Sequence, residues 1–204
     1  MSAVTSIFGI PGVLIEPRFA FRQLANHPPK PADVFKGTAL WLGALPPVFA
    51  AIGMHEHGWR LGTVEPLLLS WAATIWIAIL YFGALLFGFL SSALVGRWMA
   101  ATYGANQDLG LYFGLLTIVG APLTLGSVMH LYPDVFLNLL VLVPCLIWSM
   151  YLLYTGVPLA LGIEPERGML MASSIIGYLF VAFVSLLGIS AFLWTVGIGP
   201  RIGV

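Results

Sequence analysis

His55-x-His57 is the pattern in this chain best suited to holding a metal. Two imidazoles separated by one residue share an ion only on an extended loop, and a zinc site needs further ligands. Glu56 and Glu65 are close in sequence, Met54 would suit copper, and His130 falls near the outer end of a later apolar run. A haem held by two histidines would want them at matching depths on facing helices, and only His130 comes near a span. The simpler reading, a polar turn with imidazoles at headgroup level, is the one adopted. His55, His57 and His130 remain the metal candidates, and the expectation is no metal, no cofactor and no catalytic residue.

Other chemistry finds less support. An intramembrane protease or lipid-modifying enzyme needs paired carboxylates, a Ser–His pair or a metal cluster at the membrane. The polar residues inside the apolar runs are Thr, Ser and Asn138, with no Asp or Glu. Ion-coupled transporters usually bury charge along their path, and these runs bury none. Glu164 and Glu166 flank Pro165 and read as a solvated turn. Cys145 is the one cysteine, so it can form no internal disulfide.

The elements that would position these residues are membrane helices. Of 204 residues, 60% are hydrophobic and 8% charged, against about 25% charged in soluble domains. Such a surface cannot be covered in water, so the bilayer is the solvent. Net charge is zero, and no basic block suggests nucleic acid. Residues 136–162 and 169–198 form two apolar runs joined by a charged hinge. Each exceeds the roughly 20 residues that cross a hydrocarbon core. The expected architecture is all-α: five transmembrane helices at about 37–54, 67–95, 111–131, 136–162 and 169–198, a domain of residues 35–204. Residues 1–34 are expected outside the hydrocarbon. They lack the cationic start and small-residue cleavage site of a secretory signal, and Pro11 breaks them.

Within that leading segment, residues 17–26 predict a short helix. Pro17 suits a first turn and Asn26 a stop. Pro17, Ala20, Phe21 and Leu24 share one side, while Arg18 and Arg22 share another. The amphipathic pattern predicts a helix lying in the interface with its arginines toward headgroups; the alternative is packing on the end of the bundle. Pro46–Pro47, Pro122, Pro144 and Pro158 interrupt three spans. Gly110-x-x-x-Gly114, Gly83, Gly88, Ser91, Ser92, Ser173, Ser174 and Gly177 would let helices approach closely. Trp41, Trp59, Trp98, Tyr103, Tyr132 and Trp194 predict the aromatic belts, and Trp71, Trp76 and Trp148 are expected deeper, packed between helices by default, with lipid or a partner as the alternative. With the N-terminus inside, Arg18, Arg22, Lys30, Lys36, Arg97 and Arg167 are cytoplasmic, and only Arg60 and Arg201 lie outside. Positive-inside bias favours that orientation, which puts the C-terminus outside.

Two segments carry a family resemblance. At the front is Ile15-Glu16-Pro17-Arg18-x-x-Phe21. At the back are Trp148-Ser149-Met150-Tyr151-Leu152-Leu153-Tyr154-x-Gly156 and Leu161-Gly162-Ile163, followed by an acidic turn and a final span. Over most of its length the chain resembles the bacterial branch of the Yip1 domain family. The resemblance implies five spans, a cytoplasmic N-terminus, the bacterial inner membrane and a scaffold with no catalytic residues to carry over.

The functional expectation is a non-catalytic membrane scaffold or accessory subunit. Its partners would be the lipid bilayer and other membrane subunits, or a second copy. The contact residues expected are Arg18, Phe21, Arg22, Trp98, Gly110, Gly114, Trp148 and Tyr154. The first alternative is a passive transporter or channel lined by Thr74, Asn138 or Ser149. The second is a metal or haem membrane enzyme.

Overall fold

The computed structural model describes residues 10–58, 66 and 70–196, apart from the Trp194 side chain. The expectations for Trp59, Arg60, Glu65, Trp194 and Arg201 lie outside it. The described chain is mostly helical, with short turns between the helices. Short helices α1 (Ile10–Ile15), α2 (Pro17–Asn26) and α3 (Pro31–Val34) precede α4 (Leu40–Glu56), with a π-helical turn at Phe35–Ala39 between α3 and α4. Then come α5 (Trp71–Met99), α6 (Leu109–Gly126), α7 (Val135–Leu161) and α8 (Pro165–Thr195). Five stretches are long and apolar enough to cross a membrane: Pro31–Glu56, Trp71–Tyr103, Leu109–Leu131, Val135–Leu161 and Pro165–Leu193. The first begins earlier than its hydropathy suggested, because the π turn carries α3 into α4 without a break. The second begins at Trp71, where Ser70 Oγ accepts the Ala73 amide at 3.3 Å and caps the helix.

α6 is the axis of the bundle. Fourteen of its 18 residues are buried, with α5 and α7 antiparallel on either side. Two close approaches fix each register. Gly126 faces Cys145 and Leu115 lies against Gly156, which sets α7; Gly120 faces the Phe89 ring and Gly96 faces Tyr112, which sets α5. α7 ends at Gly162, whose φ of +66° is the left-handed conformation a helix terminus commonly takes. The Glu164–Arg167 ion pair, 3.6 Å apart, closes the turn into α8.

The leading segment packs onto the bundle. Pro17, Ala20, Phe21 and Leu24 are buried, as the wheel requires, but against the spans themselves. The Phe21 ring fills the space over Gly156, Leu24 the space over Gly114, and the Pro29 carbonyl lies against Gly110. Further back, Ile10 packs with Leu42 and Ala121. From Gly110 to Ala121 is 121 − 110 = 11 residues of α6, about 16 Å at 1.5 Å per residue. Residues 10–29 therefore run beside about 16 Å of α6, wedged against α6 and α7. Phe21 and Leu24 are wholly buried, so the helix is held by shape fit over two glycines.

Candidate functional site

The three candidate histidines, His55, His57 and His130, gather at one end of the bundle and do not converge. The His55 ring stacks on Trp71 with centroids 3.7 Å apart. His57 meets the Tyr132 ring edge-on at 5.3 Å. His130 Nδ1–H donates to Asn138 Oδ1 at 2.6 Å. Each imidazole is thus engaged by a different residue. Among the described residues no three His, Cys, Asp or Glu side chains stand close enough to hold a metal ion. Asn138, read above as a pore-lining candidate, is a turn clamp: its Nδ2 donates to the Asp134, Tyr132 and Met129 carbonyls at 2.8, 3.2 and 3.4 Å. Asp134 caps α7 by accepting the Leu137 amide at 2.8 Å.

Thr74 and Ser149 are buried, and neither hydroxyl has a hydrogen-bond partner among the described residues. Neither they nor Asn138 line the two clefts described below.

The expected contact residues divide into those engaged within the chain, those facing outward and a pair of arginines. Gly110 and Gly114 are filled from within, by Pro29, Lys30, Leu24 and Val34. Phe21 is likewise sequestered as the wedge. Tyr154 is a tie: Ser173 Oγ–H donates to the Met169 carbonyl at 2.9 Å, so the 3.0 Å bond to Ser173 is donated by the Tyr154 hydroxyl. Trp98, 83% exposed, and Trp148, stacked on Tyr151 at 5.0 Å, face outward. Trp76 is also exposed, so neither it nor Trp148 is the inter-helix packing residue expected. Trp71 stands at the first turn of α5 and not deep in the span.

Arg18 and Arg22 are the third group. Both are exposed on the face of α2 away from its buried stripe. Both line two adjoining clefts between α2 and α7. One, of about 420 Å³, includes Glu16, Phe19 and Tyr151; the other, of about 260 Å³, includes Tyr154, Thr155 and Pro158. The one ion pair among the described residues is Glu164–Arg167, so neither guanidinium is paired with an acid there. Tyr151 is 161 − 151 = 10 residues before the end of α7 and Tyr154 is 161 − 154 = 7. These positions are about 15 and 10 Å along the helix. An unpaired arginine at the centre of a span costs about 3 kcal/mol on insertion scales, partly relieved by snorkelling. The amphipathic spacing made both arginines visible in sequence; their place beside Tyr151 and Tyr154 came only from α2 docking along α7.

The Yip1 domain profile matches residues 12–196. The chain is similar to the inner membrane protein YohC of Escherichia coli K12, with 34% identity over 158 residues, 78% of this chain and 81% of that protein. The same figures hold for YohC of Escherichia coli O6:H1. No solved structure matches. The chain is a membrane protein and belongs to the Yip1 domain family.

Proposed function

We propose that this protein is a non-catalytic scaffold or accessory subunit of the bacterial inner membrane, working through helix contacts with other membrane proteins. One observation carries the reading. From Leu179 to Leu193, α8 has no buried residue among those described. A lone apolar helix gains nothing hydrophobic by leaving lipid, so another helix holds it only through packing or hydrogen bonds. Gly177 and Gly188 suit such packing: a β-carbon at either meets nothing within 4 Å. The inner-membrane address follows the YohC relatives. The cytoplasmic N-terminus follows the charge bias, since Arg18, Arg22, Lys30, Lys36, Arg97 and Arg167 all belong to the end of the bundle where α6 begins.

A photocrosslinking residue at Phe183 or Leu187, in intact membranes, tests this. The expected result is a discrete adduct with a second membrane protein. Adducts to lipid alone at both positions would defeat the scaffold reading, and an adduct between two copies would replace it with self-association. Cysteines at Asn106 and His57, probed with an impermeant thiol reagent, test the orientation: only the second should react from outside.

A further inference from the structure

Arg18 and Arg22 stand four residues apart on one helix face, so their side chains lie side by side. The two clefts that share them have a polar and an apolar part. Tyr151 and Thr155 supply hydroxyls on the α7 wall, while Phe19, Pro158 and the ring of Tyr154, whose hydroxyl is spent on Ser173, supply hydrocarbon. Glu16 also lines the larger cleft, so its ionised side chains sum to two positive and one negative, a net +1. Guanidinium pairs suit phosphate because each presents a planar fork of N–H donors. The clefts run beside α7 within its apolar length, so an anion reaching them there comes from the bilayer and brings acyl chains with it.

We infer that the α2–α7 clefts bind the phosphodiester of an anionic phospholipid, held by Arg18 and Arg22. One phosphodiester matches the net +1. A zwitterionic headgroup leaves that charge unbalanced, and a free phosphate leaves the apolar wall exposed. The bound lipid would fasten the wedge of residues 10–29 from its outer side, as Phe21 and Leu24 fasten it from within. This inference stands apart from the scaffold reading, since it concerns α2 and α7 and not the distal part of α8.

The test uses the purified full chain in nanodiscs of phosphatidylcholine alone, or doped with phosphatidylglycerol or phosphatidylethanolamine. Native mass spectrometry counts the lipid retained. Phosphatidylglycerol should be retained about tenfold over either other lipid, as two charge-assisted contacts imply. The R18Q/R22Q double variant should lose the preference, R18K/R22K should keep most of it, and K36Q should leave it unchanged. Both arginines are exposed, so the double glutamine variant should melt like the parent in phosphatidylcholine. If it does not, the single variants R18Q and R22Q must each lower the preference for the inference to stand. Equal retention of all three lipids, a preference surviving in R18Q/R22Q, or displacement of the lipid by inorganic phosphate alone would overturn it. So would a photocrosslinker at Phe19 that captures protein and no lipid.

Discussion

Between Met171 and Ile175, α8 buries three side chains, Met171, Ala172 and Ile175; between Leu179 and Leu193 it buries none. The near part is also tied by hydrogen bonds. Tyr154 from α7 reaches Ser173, and Tyr103, just after α5, reaches Ser174 at 2.6 Å. Ser174 Oγ–H is spent on the Leu170 carbonyl at 3.0 Å, so Tyr103 is the donor. Further along, Thr195 bonds back to its own turn, to Phe192 at 2.7 Å. The far part is the more apolar of the two, yet it is the unburied one, so hydrophobicity is not what brings α8 to its neighbours. What separates them is whether neighbouring helices offer small residues to pack on and hydroxyls to pair with. In lipid those are the available sources of attachment.

The same contrast runs through the bundle. Its main core joins α2, the start of α6, the last part of α7 and the near part of α8. At the opposite end, Trp76, Leu80, Phe136, Leu140 and Phe183 all face outward. A packed half and an outward-facing half should respond differently to substitution.

The sharpest way to break the packed half is Phe21→Ala. It empties a fully buried site over Gly156 and should cost about 3 kcal/mol or more. Thermal unfolding in mild detergent should show the loss, with earlier proteolysis of residues 10–30. Next comes Gly156→Val. A β-carbon there lies 2.8 Å from both the Phe21 ring and Leu115, so overpacking should cost about 1–3 kcal/mol. If Gly156→Val melts like the parent, the wedge is not seated as described. Smaller is Tyr103→Phe, which removes the bond to Ser174. Membrane hydrogen bonds average about 0.6 kcal/mol, and a double-mutant cycle with Ser174→Ala should return a coupling of that size. Smallest is Gly188→Val on the exposed part of α8. It should change the stability of the isolated protein by less than about 0.5 kcal/mol, while lowering the yield of any crosslink from Phe183.

The site was legible only in pieces. Spacing put Arg18 with Arg22 and the four apolar residues of α2 on the other side, and the structure keeps that division. The wheel has no depth, however. A helix lying on headgroups and one wedged beside a span share the same pattern. The choice between them rests on voids over Gly114 and Gly156, in helices remote in sequence. The histidines show the converse. Their clustering at one end follows from the order of the spans, but Trp71, Tyr132 and Asn138 decide where each ring goes.

From sequence alone came the five spans, their near-complete helicity and the hinges between them. Bilayer thickness and the need to satisfy every backbone polar group leave a long apolar run no other form. Only the tertiary structure decided that α6 is the axis, that residues 10–29 run beside it, and that the far part of α8 buries no described residue within the chain. Those outcomes turn on side-chain shapes meeting across helices, which one-dimensional hydropathy does not encode.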